Sequence, residues 1–273
     1  MSWVIFNIVE GIKNYSRQQE LKLAEALAIN DVTTVKQLLD RGVDPNARVV
    51  GKTCEPLIFL IFEKKYFTLP QGTIGDRHRP LYCLTAKEQC LRLLLKYGVD
   101  PNVRDSLGRT VLDIAIIWCM PDVVKWLLMN GADPNLRDNK QLTPLMKTAI
   151  LGIRDARSMQ DKLQIVMHLI DSGVEIDARS LDGKTALMYA TGNTRLEIVE
   201  LLVSSGASLS ICDRQGNRAC DIIGQSVSDR QRLYLQRILT QPQLNVVKHK
   251  YREFVPEGDR LLNEVITNKS YLN

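Results

Sequence analysis

A short phrase containing glycine returns five times along the chain and constrains its fold more than any other feature. Its copies are GVDPN at 42–46, GVDPN at 98–102, GADPN at 131–135, GVEID at 173–177 and GASLS at 206–210. Each copy follows an apolar run with helical period, for example VVKWLLMN. Because glycine adopts the left-handed conformation that ends a helix at little cost, each phrase predicts a helix terminus. Helices that end in this way again and again indicate a stack of repeated units.

The spacing of these glycines divides the chain into units. Regular copies lie 33 residues apart, whereas the steps from 42 to 98 and from 131 to 173 are longer by 23 and 9 residues. The excess predicts two inserted loops that separate the helices of their units, at 64–87 and 151–161; Pro70, Gly72, Gly75 and Pro80 argue against a long helix in the first. The units are predicted at 20–48, 49–104, 105–137, 138–179 and 180–212, followed by a polar capping unit at 213–241.

The two ends of the chain fall outside this pattern. Residues 1–19 predict an N-terminal capping helix that shields the first unit, with a membrane-surface or partner-binding helix as the alternative. Residues 242–273 predict a C-terminal tail. Within it, RLLNEVI at 260–266 has two interpretations, a short docked helix or part of a mobile segment.

The regular units resemble ankyrin repeats. DSLGRTVLDIAIIWCMPDVVKWLLMNGADPN and SLDGKTALMYATGNTRLEIVELLVSSGA share the 33-residue period, the D-x-x-G-x-T opening and the closing glycine phrase of that family. The resemblance covers about residues 20–240. It implies an all-α ankyrin-repeat solenoid of about six units, atypical caps included, with two antiparallel helices and a projecting β-turn finger in each. It also implies non-catalytic protein binding on a concave face made by the fingers and the first helices.

Polar residues at the unit boundaries have mechanical roles in this interpretation. Threonine precedes three first helices, where its hydroxyl can cap free N–H groups; these residues are Thr110, Thr143 and Thr185. Asparagine closes three phrases and is expected to bond the turn backbone that follows; these residues are Asn46, Asn102 and Asn135. The histidine of the family's T-P-L-H motif is absent, and its positions hold Ile58, Asp113, Met146, Met188 and Asp221.

Candidate contact residues follow from the resemblance, because the family binds partners through fingers and first helices. The predicted partner-binding residues are Leu107, Arg109, Asp113, Trp118, Lys140, Gln141, Met146, Asp182, Lys184, Met188 and Arg214. An arginine also follows four of the phrases, at Arg48, Arg104, Arg137 and Arg179. This row has two interpretations, a structural contact at the base of each finger or a positive stripe for an acidic peptide.

The first insert is basic and aromatic. Residues 64–87 carry a net charge of +4, and the candidate contact residues there are Tyr66, Arg77, His78, Arg79 and Tyr82. A long loop in a repeat protein is usually functional or disordered. Three interpretations stay open: contact with an acidic protein segment, binding of RNA or phosphate, and an insertion without a role.

The remaining composition excludes several other classes. The net charge of +5 does not demand nucleic acid, and the six cysteines have no metal-site spacing, which favours reduced thiols in a cytoplasmic protein. No apolar run approaches a membrane span, and the three histidines do not cluster. We therefore expect no metal, no cofactor and no catalysis. The leading hypothesis is a protein–protein interaction adaptor; the alternatives are a host-directed effector of an intracellular microbe or virus and a nucleic-acid-associated regulator.

Overall fold

The chain is all-α in the computed structural model, which describes residues 17–48, 56–62, 81–151, 156–223 and 228–240. The α-helices are α1 (17–29), α2 (Val32–Asp40), α3 (Leu81–Lys96), α4 (Val111–Ile117), α5 (Pro121–Met129), α6 (Pro144–Ile150), α7 (Ala156–Asp171), α8 (Ala186–Gly192), α9 (Leu196–Ser204) and α10 (Asp229–Thr240). Within these described ranges, two 3₁₀ helices lie at Leu57–Phe62 and Ala219–Ile222. No β-strand occurs among the described residues; an isolated bridge joins Arg48 and Pro56. The predicted fold class is confirmed.

The chain forms two compact units, at 1–144 and 145–273. In the first, α4 packs against α5, α2 packs against α3, and the 3₁₀ helix Leu57–Phe62 contacts both α3 and α4. In the second, α8 packs against α9 and against the 3₁₀ helix Ala219–Ile222, and α10 contacts both α9 and that 3₁₀ helix. The core of each unit consists mainly of Leu, Ile, Val, Met and Ala from the inner faces of these helices.

The helix ends form as the sequence predicts. The five closing glycines have positive φ, from +79° at Gly173 to +92° at Gly206, and an L side chain is strained there. Thr110 and Thr185 cap α4 and α8, since their hydroxyl oxygens accept from the backbone N–H groups of Asp113 and Met188 at 3.3 Å. These capping predictions are confirmed.

The two predicted inserts are shorter than expected. Helix α3 begins at Leu81, inside the predicted 64–87 loop, and α7 begins at Ala156, inside the predicted 151–161 loop. Neither helix contains Gly or Pro, which disfavour a helix interior. Both helices therefore begin several residues before the first residue of their periodic apolar run. Residues 1–16, 63–80, 152–155 and 241–273 lie outside the described residues, and so do the predictions made for them.

The asparagines of the closing phrases connect successive repeats of the first unit. Asn102 Nδ2 donates to the carbonyl of Gly131 at 3.0 Å, and its Oδ1 accepts from the backbone N–H of Asp133 at 2.8 Å. Asn46 makes the same pair of bonds to Gly98 and Asp100, both at 3.4 Å. The acceptor side of this pattern recurs in the second unit, where Asp177 Oδ1 accepts from the N–H of Ser208 at 2.9 Å. The expected bond to the turn backbone is thus made to the turn of the next repeat.

Candidate functional site

Four short loops project between repeats and share one backbone geometry. We call them the fingers; they comprise residues 105–109, 138–142, 180–184 and 213–217. In each finger the first N–H donates to the carbonyl of the fifth residue, at 2.9–3.2 Å, and the fourth N–H donates to the carbonyl of the first, at 2.9–3.1 Å. Both backbone bonds recur in all four fingers, so the finger conformation is the same irrespective of the residues at its tip.

The first side chain of each finger fixes the loop further. Asp105 Oδ1 accepts from the N–H groups of Leu107 at 2.9 Å and Arg109 at 2.8 Å. Asp138 and Asp213 make the same two bonds in their own fingers. In the third finger Ser180 Oγ accepts from Lys184 N–H at 3.2 Å and from the Tyr189 hydroxyl at 3.1 Å. A carboxylate that accepts two backbone N–H bonds stabilises the conformation of a loop strongly.

The second oxygen of these carboxylates differs between fingers. Asp105 Oδ2 accepts from Arg109, whose Nη2 lies 2.7 Å away, in an ion pair within the finger. Asp213 Oδ2 is buried and has no hydrogen-bond partner, because Asn217 occupies the position of that arginine. The backbone N–H of Asn217 nevertheless holds the pKa of Asp213 below its usual value.

Within each unit the fingers stack on one another. The N–H of Asn139 donates to the carbonyl of Leu107 at 3.2 Å, and the N–H of Arg214 donates to the carbonyl of Asp182 at 3.0 Å. Gly108 permits this approach in the first pair: a Cβ there would lie 2.8 Å from the backbone nitrogen of Asn139. Each unit therefore presents one pair of locked fingers.

Two arginines of the predicted row reinforce the stacks. Arg104 Nη1 donates to the carbonyl of Arg137 at 2.9 Å, and Arg179 Nη2 donates to the carbonyl of Cys212 at 2.7 Å. In both cases the acceptor lies 33 residues further along the chain, at the base of the next finger. The structural interpretation of the row therefore holds for Arg104 and Arg179.

The finger tips carry exposed side chains of varied chemistry. Leu107 and Leu181 are each 56% exposed, a high fraction for leucine. The other exposed predicted residues at the tips are Lys140, Gln141, Asp182 and Arg214. Arg109 and Lys184 are half-buried at the finger ends. The structure thus brings Leu107 and Lys140 onto one finger pair, and Asp182 and Arg214 onto the other.

Three predicted contact residues are buried, which corrects the prediction for these positions. Met146 and Met188 belong to the core. Asp113 is also buried, because its Oδ2 accepts from the backbone N–H of Thr110 at 2.9 Å and completes a capping box at the start of α4. Asp221 makes the equivalent bond to the N–H of Arg218. At both positions, an aspartate stands where the T-P-L-H motif has histidine, and it accepts a backbone hydrogen bond at the start of a helix.

Trp118 lies half-buried at the end of α4, beside a buried cation. The Nζ of Lys87 lies 4.6 Å from the centroid of the Trp118 ring and 5.9 Å from that of Phe62. Lys87 is 3% exposed, so its charge does not contribute to the surface of the basic insert. A cation between aromatic faces is stabilised by the ring quadrupoles. Trp118 therefore has a packing partner, and one side of its ring is committed to Lys87.

A second cation–aromatic contact was not predicted. Arg92 Cζ lies 5.2 Å from the centroid of the half-buried Trp126, and Arg92 also pairs with Glu88 at 2.6 Å. The exposed guanidinium of Arg92 therefore lies over the ring of Trp126.

The insert candidates Tyr66, Arg77, His78 and Arg79 lie outside the described residues, and Tyr82 lies in α3 with its side chain undescribed. Among the residues that the structure describes, no group of three or more His, Cys, Asp or Glu is placed to hold a metal ion. In the same part of the chain, no helix is long and apolar enough to cross a membrane.

Comparison with known proteins gives consistent matches across this architecture. The family model described as ankyrin repeats (3 copies) matches residues 21–138 and 135–213. Similar curated proteins include a putative ankyrin repeat protein of Rickettsia bellii, 32% identical over 47% of this chain, and an ankyrin repeat and SAM domain-containing protein of Danio rerio, 28% identical over 45%. A potassium channel of Arabidopsis thaliana is 25% identical over 51% of this chain. The matches cover 38%, 15% and 16% of these proteins' own lengths, respectively.

Proposed function

Because the chain belongs to the ankyrin-repeat family, we propose that it is a non-catalytic adaptor that holds a segment of a partner protein on its finger tips. Ankyrin repeats are generally protein–protein interaction modules. The observation that carries the proposal is the pair of stacked fingers in each unit, whose loops are locked by their own hydrogen bonds and whose exposed tips vary in chemistry.

The locked backbone gives the tips a physical advantage in binding. A loop that is already fixed loses little conformational entropy when a partner docks, so more of the contact energy appears as affinity. Leu107 and Leu181 supply apolar contacts, and Lys140, Asp182 and Arg214 supply charges that select the partner. We propose the same role for Trp118 on its side away from Lys87.

An acidic segment is the partner chemistry that the charge distribution favours. The 64–87 insert holds most of the net positive charge, and the burial of Lys87 leaves four of its cations for contact. We propose that Arg77, His78 and Arg79, with Tyr66 and Tyr82, add specificity for such a segment.

The four described cysteines are free thiols, which supports placement in a reducing compartment such as the cytoplasm.

The proposal is tested by substituting exposed residues at the finger tips while leaving the hydrogen-bonded finger backbone unchanged. The double variant Leu107→Asp and Leu181→Asp is compared with the native chain in affinity capture from cell extract with quantitative mass spectrometry, and then in titration with the purified partner. We expect an affinity loss of about tenfold or more, as for exposed apolar anchors of an interface.

The matched control is Met129→Asp, because Met129 is 75% exposed but lies at the end of α5, outside the fingers. It should bind like the native chain. Equal losses in both variants, or none in the finger variant, would reject the fingers as the binding surface.

A further inference from the structure

Helix α10 presents an exposed stripe on the side opposite its core contacts. Leu235 and Leu239 are buried, whereas Leu233 is 67% and Tyr234 44% exposed. Two further exposed residues, Arg230 and Arg237, lie one turn before and one turn after them. The spacing of 230, 233, 234 and 237 places all four on one helical face. This stripe, which we call the α10 stripe, has an apolar centre and a positive charge at each end.

The centre of the stripe is held in place. The Tyr234 hydroxyl donates a hydrogen bond to Glu200, a buried residue of α9, and this bond raises the pKa of Tyr234 to about 12. The bond fixes the Tyr234 hydroxyl against α9. By contrast, neither Arg230 nor Arg237 makes an ion pair with another residue of the described chain. The stripe is therefore an apolar surface with a cation at each end, and within the described residues neither cation is ion-paired.

The chain itself carries a segment with the complementary chemistry. Residues 253–266, EFVPEGDRLLNEVI, contain four acidic residues against one arginine, a net charge of −3, and six apolar residues. The spacing of Leu261, Leu262, Val265 and Ile266 in RLLNEVI is such that they would share one face if this run were helical. Glu257 and Glu264 lie before and within that run, a spacing similar to that of the two arginines of the stripe.

The connection between the two is long enough. Twelve residues, 241–252, separate Thr240 from Glu253. They span up to about 40 Å when extended, whereas the twelve-residue helix α10 is about 18 Å long. The segment can therefore return along α10 in either direction.

We propose that residues 253–266 of the same chain bind the α10 stripe, with Leu261, Leu262, Val265 and Ile266 against Leu233 and Tyr234 and with Glu257 and Glu264 paired to Arg230 and Arg237. Burial of the apolar contact supplies the stabilisation, and the two charge pairs set the register. The site is thus a receptor for acidic, apolar peptides. Its own tail occupies it, and a partner segment with the same chemistry would have to displace that tail.

The test uses the full-length chain with a photoreactive residue, Leu233→p-benzoylphenylalanine. After irradiation, we expect cross-links that map to residues 253–266 by mass spectrometry. An equal mixture of isotopically light and heavy chains should give only light–light and heavy–heavy products, since the contact is within one molecule. The same photoreactive residue at Met129 should give no cross-link to 253–266.

Charge reversal supplies the specificity control. Arg230→Glu with Arg237→Glu should lower the cross-link yield about tenfold, because both end pairs become repulsive. Adding Glu257→Arg and Glu264→Arg should restore the yield, while the far-ultraviolet circular dichroism stays unchanged in all variants. Mixed light–heavy products would identify a second copy as the occupant and overturn the proposal. Cross-links that map elsewhere, or that ignore the charge reversal, would overturn it as well.

Discussion

Four described residues other than glycine adopt positive φ, and three of them share one place in the repeat. Asn30, Cys119 and Thr194 connect the first helix of a repeat to the second, with φ of 55° to 58°. Gln141 has φ of 60° at the fourth position of its finger, where the other fingers have glycine. Thr194 is the most strained of these, because β-branched residues rarely adopt this conformation.

Replacing Thr194 with glycine should stabilise the protein. Thr194→Gly relieves a left-handed conformation that costs about 1–2 kcal/mol. The added chain entropy of glycine in the unfolded state offsets part of this gain, and we expect the free energy of unfolding to rise by about 0.5–1 kcal/mol. Urea denaturation followed by circular dichroism measures the change.

The neighbouring Asn193 is the control, since its φ is −91° and its Nδ2 donates to the carbonyl of Tyr189 at 2.8 Å. Asn193→Gly should lower the free energy of unfolding. A gain at both positions would show that backbone strain at residue 194 is not the cause.

The described cysteines should differ sharply in reactivity. Cys90 is fully buried in α3, and burial raises the pKa of its thiol to about 11. Cys212 is exposed near the fourth finger. Because the thiolate is the reactive form, iodoacetamide at pH 8 should alkylate Cys212 in the native protein and Cys90 only after unfolding. Peptide mass mapping of native and urea-unfolded samples checks this; modification of native Cys90 at the rate of Cys212 would contradict it.

At the scale of elements, the sequence predicted those features that depend on residues close together in the chain. The closing glycines and the capping threonines act within a few residues, so their roles followed from composition and spacing. The bonds of Asn102 to Gly131 and Asp133 join residues about 30 positions apart and depend on how the repeats stack. The burial of Lys87 beneath Trp118 is likewise a tertiary property. A basic residue near aromatic ones predicts equally well an exposed patch, and the pattern alone does not separate the two.

The α10 stripe shows the same limit. Arginines in the last unit predicted a polar cap, and several of them are exposed as a cap requires. The pattern did not show that Leu233 and Tyr234 lie between two of these arginines on the outer face, because the orientation of α10 depends on how it packs against α9 and the 3₁₀ helix Ala219–Ile222. Whether the outer face of α10 is only a solvated cap or can also bind a peptide depends on that orientation of the helix.

The fourth finger lacks an ion pair that the first finger has, and restoring it should stabilise the chain. In Asn217→Arg, the new guanidinium would meet the partnerless Asp213 Oδ2 as Arg109 meets Asp105 Oδ2. We expect the free energy of unfolding at pH 7 to rise, and with it the urea midpoint. The measurement is again urea denaturation.

The acidic range distinguishes the ion pair from simple packing. The gain should be fully present above about pH 4, the unfolded pKa of an aspartate, and should be lost as the pH falls further through the lowered native pKa of Asp213. Asn217→Leu, which copies the fifth residue of the 138–142 finger, should give no gain at either pH. A pH-independent gain from Asn217→Arg would assign the effect to the aliphatic part of the side chain.

At the scale of the whole molecule, the rigid and the variable parts of the chain are kept apart. Side chains at the finger bases and helix starts are used in bonds to the backbone, and those at the tips and on the α10 stripe are exposed. Substitutions at the tips therefore leave the frame intact, which lets one repeat architecture serve different partners. The same separation predicts that global stability depends on the buried and bonded groups alone, and their titration gives this stability a characteristic pH profile.

The acidic limb of that profile comes from aspartates that accept backbone and hydroxyl bonds. The Thr34 hydroxyl lowers the pKa of Asp31, and the backbone N–H of Arg218 lowers that of Asp221. In the unfolded chain the pKa of these carboxyl groups is about 4. A lowered native pKa means that their stabilisation is fully present above the unfolded value and is lost as the pH falls through the native value. The urea midpoint should therefore fall progressively below about pH 4, and Asp221→Asn should reduce the size of that fall.

The alkaline limb has the opposite sign and a different origin. The native pKa values of Tyr234 and Cys90 are raised to about 12 and about 11, by the bond to Glu200 and by burial, respectively. Their unfolded values are about 10 and 8.5, so the fold favours the protonated forms. This stabilisation is complete below the unfolded values and is lost as the pH rises through the native ones, between about 8.5 and 12. Tyr234→Phe should flatten the decline of the urea midpoint above about pH 10 and leave the acidic limb unchanged. An alkaline limb that is insensitive to this substitution would show that the Tyr234–Glu200 bond does not contribute to the stability of the folded chain.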